Sequence, residues 1–220
     1  MKKRVLVIDV GGTSLKISLG SRGRLIQVPS GRTMTPAQMV ARVRAAVAGR
    51  PYDVVSIGYP GPVKNGKPAQ EPRNLGRGWL RFDFRKAFGR PVRMMNDAAM
   101  QALGNYTGGR LLFLGLGTGL GSALVADGVV VPLEIAHMPY RNSRTYEDYV
   151  GVRGYRQLGL TRWTAHVWRI IEILRVGLQV DTVVVGGGRA ARLRNFPPGV
   201  RRSGNEMAAL GGVRLWQARP

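Results

Sequence analysis

Two carboxylates in this sequence stand where a strand pattern gives way to something else. Asp9 ends the apolar run Arg4-Val5-Leu6-Val7-Ile8-Asp9 and is followed by Gly11, Gly12 and Thr13. Asp97 follows Asn96 after the strand-like Val92–Met95 stretch and opens an alanine-rich segment reaching about Tyr106. A carboxylate like Asp9 can hold a magnesium-bound water near a transferred phosphoryl group, or cap the following turn. A carboxylate like Asp97 can take a proton from a hydroxyl, or serve as a helix N-cap. Residue type and spacing leave both alternatives open at both positions.

Three glycine-rich turns follow strand patterns, at residues 11–13, 115–121 and 186–188. Without a Cβ, glycine lets backbone N–H groups approach phosphate oxygens, and Thr13 and Thr118 add hydroxyls. A tight turn needs glycine for conformational reasons alone, so the signal is the repetition. Glu134 and His137 stand three residues apart after a strand, a spacing that lets two side chains meet one ligand. No third metal ligand of matching type lies nearby, so the pair reads as polar groups for sugar hydroxyls, with Asn74 and Glu147 completing a pocket. Trp79, Trp163 and Trp168 read as core residues rather than stacking platforms.

The elements that must position these groups form two similar series. Strands are expected over residues 4–9, 15–19 and 25–28, then a helix capped by Thr35 and Pro36 through Val47. A strand over Val54 to Gly58 leads into Tyr59-Pro60-Gly61-Pro62 and a loop reaching about Asp83. After Thr107-Gly108-Gly109 the pattern partly repeats: strand 111–114, glycine turn, returning strand 122–126. Thr161 is expected to cap a long helix to about Gln179, and Thr182 to Val185 to form a strand. Gly186, Gly187 and Gly188 then turn into a further helix, and Asn205 caps a last helix carrying Met207, Leu210 and Val213. Two halves that each open on a hairpin around a glycine turn imply a duplicated α/β fold with a cleft between, divided at 1–108 and 109–220, the last helix packing back on the first half.

Composition narrows the function. The absence of cysteine excludes a disulfide framework, a thiol nucleophile and a structural zinc ribbon, and two histidines are too few for a histidine-rich metal site. The Met1-Lys2-Lys3-Arg4 start is followed by an apolar run cut at Asp9, too short for a signal peptide. The apolar stretch 111–133 is broken by glycines and Asp127, so it reads as strands and not a membrane span. A cytoplasmic protein is expected. Thirty-four basic against twelve acidic residues give a net charge of +22. Such a field attracts polyanions, and an arginine-rich solvated surface explains it equally well.

As a set, these motifs resemble those of the ROK (repressor, open reading frame, kinase) family of sugar kinases. Asp9-Val-Gly-Gly-Thr-Ser-Leu-Lys16 is similar to the first phosphate motif of the wider actin-like superfamily. Gly58-Tyr-Pro-Gly-Pro62, Asn96-Asp97, the loop 114–121, Glu134-Ile-Ala-His137 and Gly186–Gly188 follow in the family's order. Pro72-Arg-Asn-Leu75 with Trp79, Glu147-Asp-Tyr-Val150 and the missing cysteine-rich segment resemble its polyphosphate glucokinase branch. The resemblance implies an actin-like (ribonuclease H-like) two-domain α/β fold and phosphoryl transfer from polyphosphate, ATP or both to the 6-hydroxyl of glucose or a related hexose. It implies Asp97 as general base, and Asn74, Asn96, Glu134, His137 and Glu147 as sugar ligands. Asp9, Gly11, Gly12, Thr13 and Lys16 form one phosphate loop, and Gly117, Thr118 and Gly119 the other. Gly186, Gly187 and Gly188 lie where a nucleotide's adenosine sits, and Mg²⁺ is held through water by Asp9.

Two departures stand out: Ala136 replaces the family's glycine before His137, and the segment between His137 and Glu147 is short. The competing expectations are a strictly ATP-dependent hexokinase of the family and a sugar- or polyanion-binding relative without catalysis. Repressors of the family carry a helix-turn-helix before the first strand, which here begins at residue 4, so no specific nucleic-acid partner is expected. A homodimer is an expectation from the resemblance alone.

Overall fold

A computed structural model describes residues 3–204 and 206–217. Asn205, the expected cap of the last helix, lies outside the described residues, as do Met1 and Lys2. The chain divides into two units, one of Met1–Gly104 with Asn205–Pro220 and the other of Asn105–Gly204.

The first unit is a five-stranded sheet in the order β3-β2-β1-β4-β7. Its centre is β1 (Val5–Val10), buried along its whole length, antiparallel to β2 (Ser14–Leu19) and parallel to β4 (Val54–Tyr59). Continuous apolar runs like Val5–Val10 suit a strand covered on both faces. β3 (Ile26–Pro29) extends one edge and β7 (Val92–Asn96) the other, parallel to β4. Helix α1 (Pro36–Ala46) begins at Thr35, whose hydroxyl accepts from the Gln38 amide while the Gln38 side chain accepts from the Thr35 amide. This reciprocal cap satisfies two otherwise orphaned donors, and α1 buries Met39, Val40 and Val43. The expected long loop after Tyr59 contains a small hairpin, β5 (Val63–Lys64) and β6 (Lys67–Pro68), and the short α2 (Phe84–Phe88). Strand β7 delivers α3 (Asp97–Asn105). The last helix, α6 (Met207–Arg214), belongs to this unit. Arg214 donates to the Leu103 and Gly104 carbonyls of α3, and the buried Ser56 hydroxyl donates to the Gly212 carbonyl.

The second unit repeats the plan, in the order β10-β9-β8-β11-β12. β8 (Arg110–Leu116) and β9 (Leu120–Ala126) form the hairpin, and β10 (Val129–Leu133) extends it. β11 (Thr182–Gly186) runs parallel to β8, and β12 (Val200–Arg202) parallel to β11. Between β10 and β11 lie a 3-10 turn at Ile135–His137, α4 (Tyr146–Val150) and α5 (Val152–Leu178).

One expectation is extended in this unit and one is corrected. The stretch Val152–Leu178 is two helices joined across Gly159 (φ 72°, ψ 170°), a backbone conformation open to glycine. The long helix expected from Thr161 to about Gln179 thus begins directly after Gly159, with Thr161 in its first turn, and a short helix from Val152, not expected from the sequence, precedes it. After Gly186–Gly188 there is only a 3-10 turn, Ala190–Arg192, where a helix was expected. Trp79 and Trp163 are fully buried in the two cores, and Trp168 is half-buried against Phe196.

Candidate functional site

In the first unit, the sheet fixes the acids and the first glycine turn. Asp9 stands opposite Lys16 in the β1–β2 register, with Lys16 Nζ 3.8 Å from Asp9 Oδ2. Asp9 is 7% exposed, and this burial pushes its carboxyl above the usual carboxylate range, against the lowering influence of Lys16. The turn that follows is closed by the Gly11 amide donating to the Ser14 carbonyl. Ser30 then ties it to β3, its hydroxyl donating to the Gly11 carbonyl at 2.7 Å and its amide to the Thr13 carbonyl. Thr13 and Lys16 are exposed.

Asn74 lies directly on this turn: a Cβ built on Gly12 would come within 3.0 Å of the Asn74 Cβ. Its loop is fastened at three points. Glu71 accepts from the Gly78 and Trp79 amides at 3.1 Å each, the Gly76 amide donates to the Met34 carbonyl, and the Trp79 ring is buried beside Tyr59 and Phe84. An exposed asparagine is thus held in place by a buried anchor.

Asn96 and Asp97 divide the work at the start of α3. The Asn96 Oδ1 accepts from the Ala99 amide at 3.1 Å, the bond of an N-cap, and its Nδ2 donates to the Gly61 carbonyl. Asp97 is the first helical residue, and its Oδ1 accepts from the adjacent Ala98 amide at 2.8 Å. Of the two alternatives raised for this junction, the cap therefore belongs to Asn96.

In the second unit, the β8–β9 turn holds Gly117, Thr118 and Gly119. The Gly117 amide lies on the Gly115 and Gly119 carbonyls, and the Leu120 amide donates to Glu147 Oε2 at 3.2 Å. Glu147 sits in the first turn of α4, which is fixed by a reciprocal cap between Thr145 and Asp148. Its carboxylate packs so closely on Gly119 that any Cβ there would overlap it. Glu147, grouped from its sequence with Glu134 and His137, thus has its hydrogen bond to the glycine turn. Glu134 and His137 bracket the 3-10 turn, both exposed, while Ile135 and Ala136 between them enter the core. The methyl of Ala136 is accommodated inside the unit.

The third glycine turn is next to the second. Gly186 stands opposite Gly115 in the β8–β11 register, and Gly187 (φ 80°) packs on the Leu116 backbone with no space for a side chain. Arg189 joins them: its amide donates to the Leu116 carbonyl at 3.0 Å and its guanidinium to the Gly117 carbonyl at 2.6 Å. The guanidinium also lies 5.8 Å from the centre of the Tyr155 ring. Arg189 was not among the expected residues. Its signal, an arginine directly after three glycines, is lost among the chain's many basic residues. Gly117, Thr118, Gly119, Gly186, Gly187 and Gly188 therefore form one patch, with a half-buried cation at its seam.

Among the described residues, no cluster of three or more metal-ligating side chains is present, and no helix is long and apolar enough to cross a membrane.

The polyphosphate glucokinase of Mycobacterium tuberculosis is 23% identical over 214 residues, covering 87% of this chain and 80% of that protein. The crystal structure of an inorganic polyphosphate/ATP-glucomannokinase from Arthrobacter sp. strain KM aligns with a TM-score of 0.81 and 26% identity, covering 97% of this chain and 98% of that one. A glucokinase from Streptomyces griseus, solved with glucose and AMPPNP, shares the fold at a TM-score of 0.74 and 16% identity, over 96% and 98% of the two chains. The duplicated α/β architecture is thus the actin-like fold of these sugar kinases. The ROK family model matches residues 5–132, more than half of the sequence, and the chain belongs to the ROK family.

Proposed function

We propose that this protein is a sugar kinase that transfers a phosphoryl group from polyphosphate or ATP to the 6-hydroxyl of glucose or a related hexose. The observation that carries the reading is the junction of β7 and α3. Asn96 supplies the helix cap, so the neighbouring carboxylate of Asp97 is not needed for it and is kept at a defined position. Asp97 takes the proton of the attacking hydroxyl as the new bond to phosphorus forms. Asn74, Glu134, His137 and Glu147 bind the remaining hydroxyls, and Asn96 adds the N–H and lone pair that its structural bonds leave over.

The Thr118 and Gly119 amides with the Thr118 hydroxyl hold donor phosphates, as do Gly12, Thr13 and Lys16, while Gly117 and Gly11, whose amides close their own turns, shape the two loops for close approach. Backbone donors fixed before the substrate arrives need no reorganisation when charge develops. Gly186, Gly187 and Gly188 border the part of the donor farther from the transferred group. Asp9 suits a water-mediated magnesium site. It is one buried carboxylate with a single cationic partner at 3.8 Å, and Mg²⁺ commonly uses one or two carboxylates with substrate phosphates. When bound, the ion would neutralise charge on the donor phosphates.

The similarity to proteins described as polyphosphate glucokinase and polyphosphate/ATP-glucomannokinase, together with the +22 charge, favours polyphosphate among the donors. The test is formation of glucose phosphate from glucose with each donor separately. Turnover with polyphosphate is expected. Turnover with ATP alone removes the polyphosphate part, and no product from either donor across several hexoses overturns the kinase reading.

A further inference from the structure

The segment from Thr182 to Gly204 contains five arginines and no acidic residue, the flanking acids being Asp181 and Glu206. It begins with β11, makes the third glycine turn, and returns as β12. Both strands are parallel to β8, so their carboxyl ends gather along one edge of the sheet. In parallel α/β sheets this is the edge at which ligands bind. Here it carries, in order, the Gly117–Gly119 turn after β8, the Gly186–Gly188 turn with Arg189 after β11, and Arg202 at the end of β12. Arg202 stands opposite Val185, one residue before the glycine turn, and the Ser203 amide continues the pairing to the Val185 carbonyl. Neighbouring strands are about 4.8 Å apart, so the three positions follow one another at short steps.

A second observation concerns where the side chains go. Arg194 and Arg202 both donate to the same oxygen, the Leu193 carbonyl, at 2.9 and 2.7 Å. Two guanidinium groups sharing one acceptor are within about 6 Å of each other. Both residues are exposed, and among the described residues neither forms an ion pair. Arg202 is further held over the Phe196 ring at 5.3 Å. Like charges gathered by backbone acceptors with no carboxylate between them repel, unless an anion occupies the space they face. Arg194 also donates to the Ala191 carbonyl at 2.6 Å, through the same Nη1, and a guanidinium presents five N–H donors, so the bonds of both arginines leave donors over. Arg201, by contrast, turns away to Asn105.

We propose that Arg194 and Arg202 form a second phosphate subsite, which takes the trailing phosphates of a polyphosphate chain whose leading end lies at the glycine turns. The proposal rests on the donor reading given above and extends it. A long linear polyanion whose leading phosphates occupy the glycine turns has further phosphates to place on the pair, whereas a donor of a few phosphates is used up at the turns. The pair therefore confers a preference for long chains without taking part in transfer.

The test uses the full chain with both arginines replaced by glutamine (Arg194→Gln with Arg202→Gln), beside a double lysine variant that keeps the charge. Thermal melting controls for folding. With long-chain polyphosphate as donor, the glutamine variant is expected to raise KM about tenfold, while kcat, the glucose KM and the KM for tripolyphosphate stay within about twofold. The lysine variant is expected to recover most of the loss. An unchanged KM for the long chain, or an equal rise for long chain and tripolyphosphate, overturns the subsite. Direct binding of labelled long-chain polyphosphate separates this from the donor reading. If the wild type binds the chain through these arginines but does not turn it over, the donor reading fails and the subsite stands. If the glutamine variant binds it as tightly as the wild type, the subsite fails whatever the turnover.

Discussion

The two glycine hairpins of this chain occupy equivalent places in equivalent sheets, yet they are chemically opposite. In the first unit β1 carries Asp9 one residue before its end, where it pairs with Gly58 of the parallel neighbour β4. In the second unit the matching position on β8 is Gly115, paired with Gly186 of β11. The edge strands follow suit: β7 leads to Asn96 and Asp97, while β12 ends on Arg202. The first repeat thus places carboxylates at its strand ends, and the second places bare backbone and guanidinium groups there. A duplicated fold solves the same packing problem twice, which frees the strand ends to diverge. On the proposed reading, the proton acceptor and the cation site sit on one copy while the other presents donors to phosphate.

Substitutions that erase this contrast should have graded effects. Asp97→Asn keeps the shape and the Asn96 cap, so melting should be unchanged while turnover falls about 10²–10⁴-fold. Loss of folding instead would return Asp97 to a structural role. Asp9→Asn removes a buried carboxylate whose pKa lies above its unfolded value. The folded state therefore holds that proton more tightly, and the carboxylate's contribution to stability declines as pH rises through the carboxylate range. At neutral pH the variant should melt higher than the wild type and should lack that part of the pH dependence. Its turnover should nevertheless fall about 10–100-fold through weaker magnesium binding. A variant that melts lower at neutral pH would contradict the burial argument.

On the second unit, Gly119→Ala must push aside the flexible end of Glu147, which loses its bond to the Leu120 amide. The expected cost is about 1 kcal/mol in stability, with higher KM values for both sugar and donor in steady-state kinetics. Arg189→Lys should have the smallest effect. It keeps the charge but loses the planar fork between the Gly117 carbonyl and the Tyr155 ring, which should raise the donor KM about two- to fivefold and leave the glucose KM alone.

Much of the contrast is legible in the sequence because the hairpins are local. Val5–Val10 and Arg110–Leu116 are apolar runs ending in glycine turns, and their returning strands follow within a few residues. The Thr35 cap is equally local. Reading fails where a position is decided by partners distant in sequence. Val200–Arg202 is a three-residue strand without alternation, and only pairing with β11 makes it one. Glu147 lies 28 residues beyond Gly119 and is brought to it by α4, not by the His137 motif it follows. Glycines at 151, 154 and 159 look like punctuation; Gly159 does interrupt the helix, and the long stretch after it, which buries Trp163, Val167 and Ile170, is legible, whereas the short helix from Val152 before it is not.

The most direct test of this division of labour measures binding on the Asp97→Asn protein. Calorimetric affinities for glucose and for long-chain polyphosphate should stay within about threefold of the wild type while product formation is nearly abolished. Retained product formation, or loss of polyphosphate binding along with turnover, would show that the two repeats do not divide the chemistry in this way.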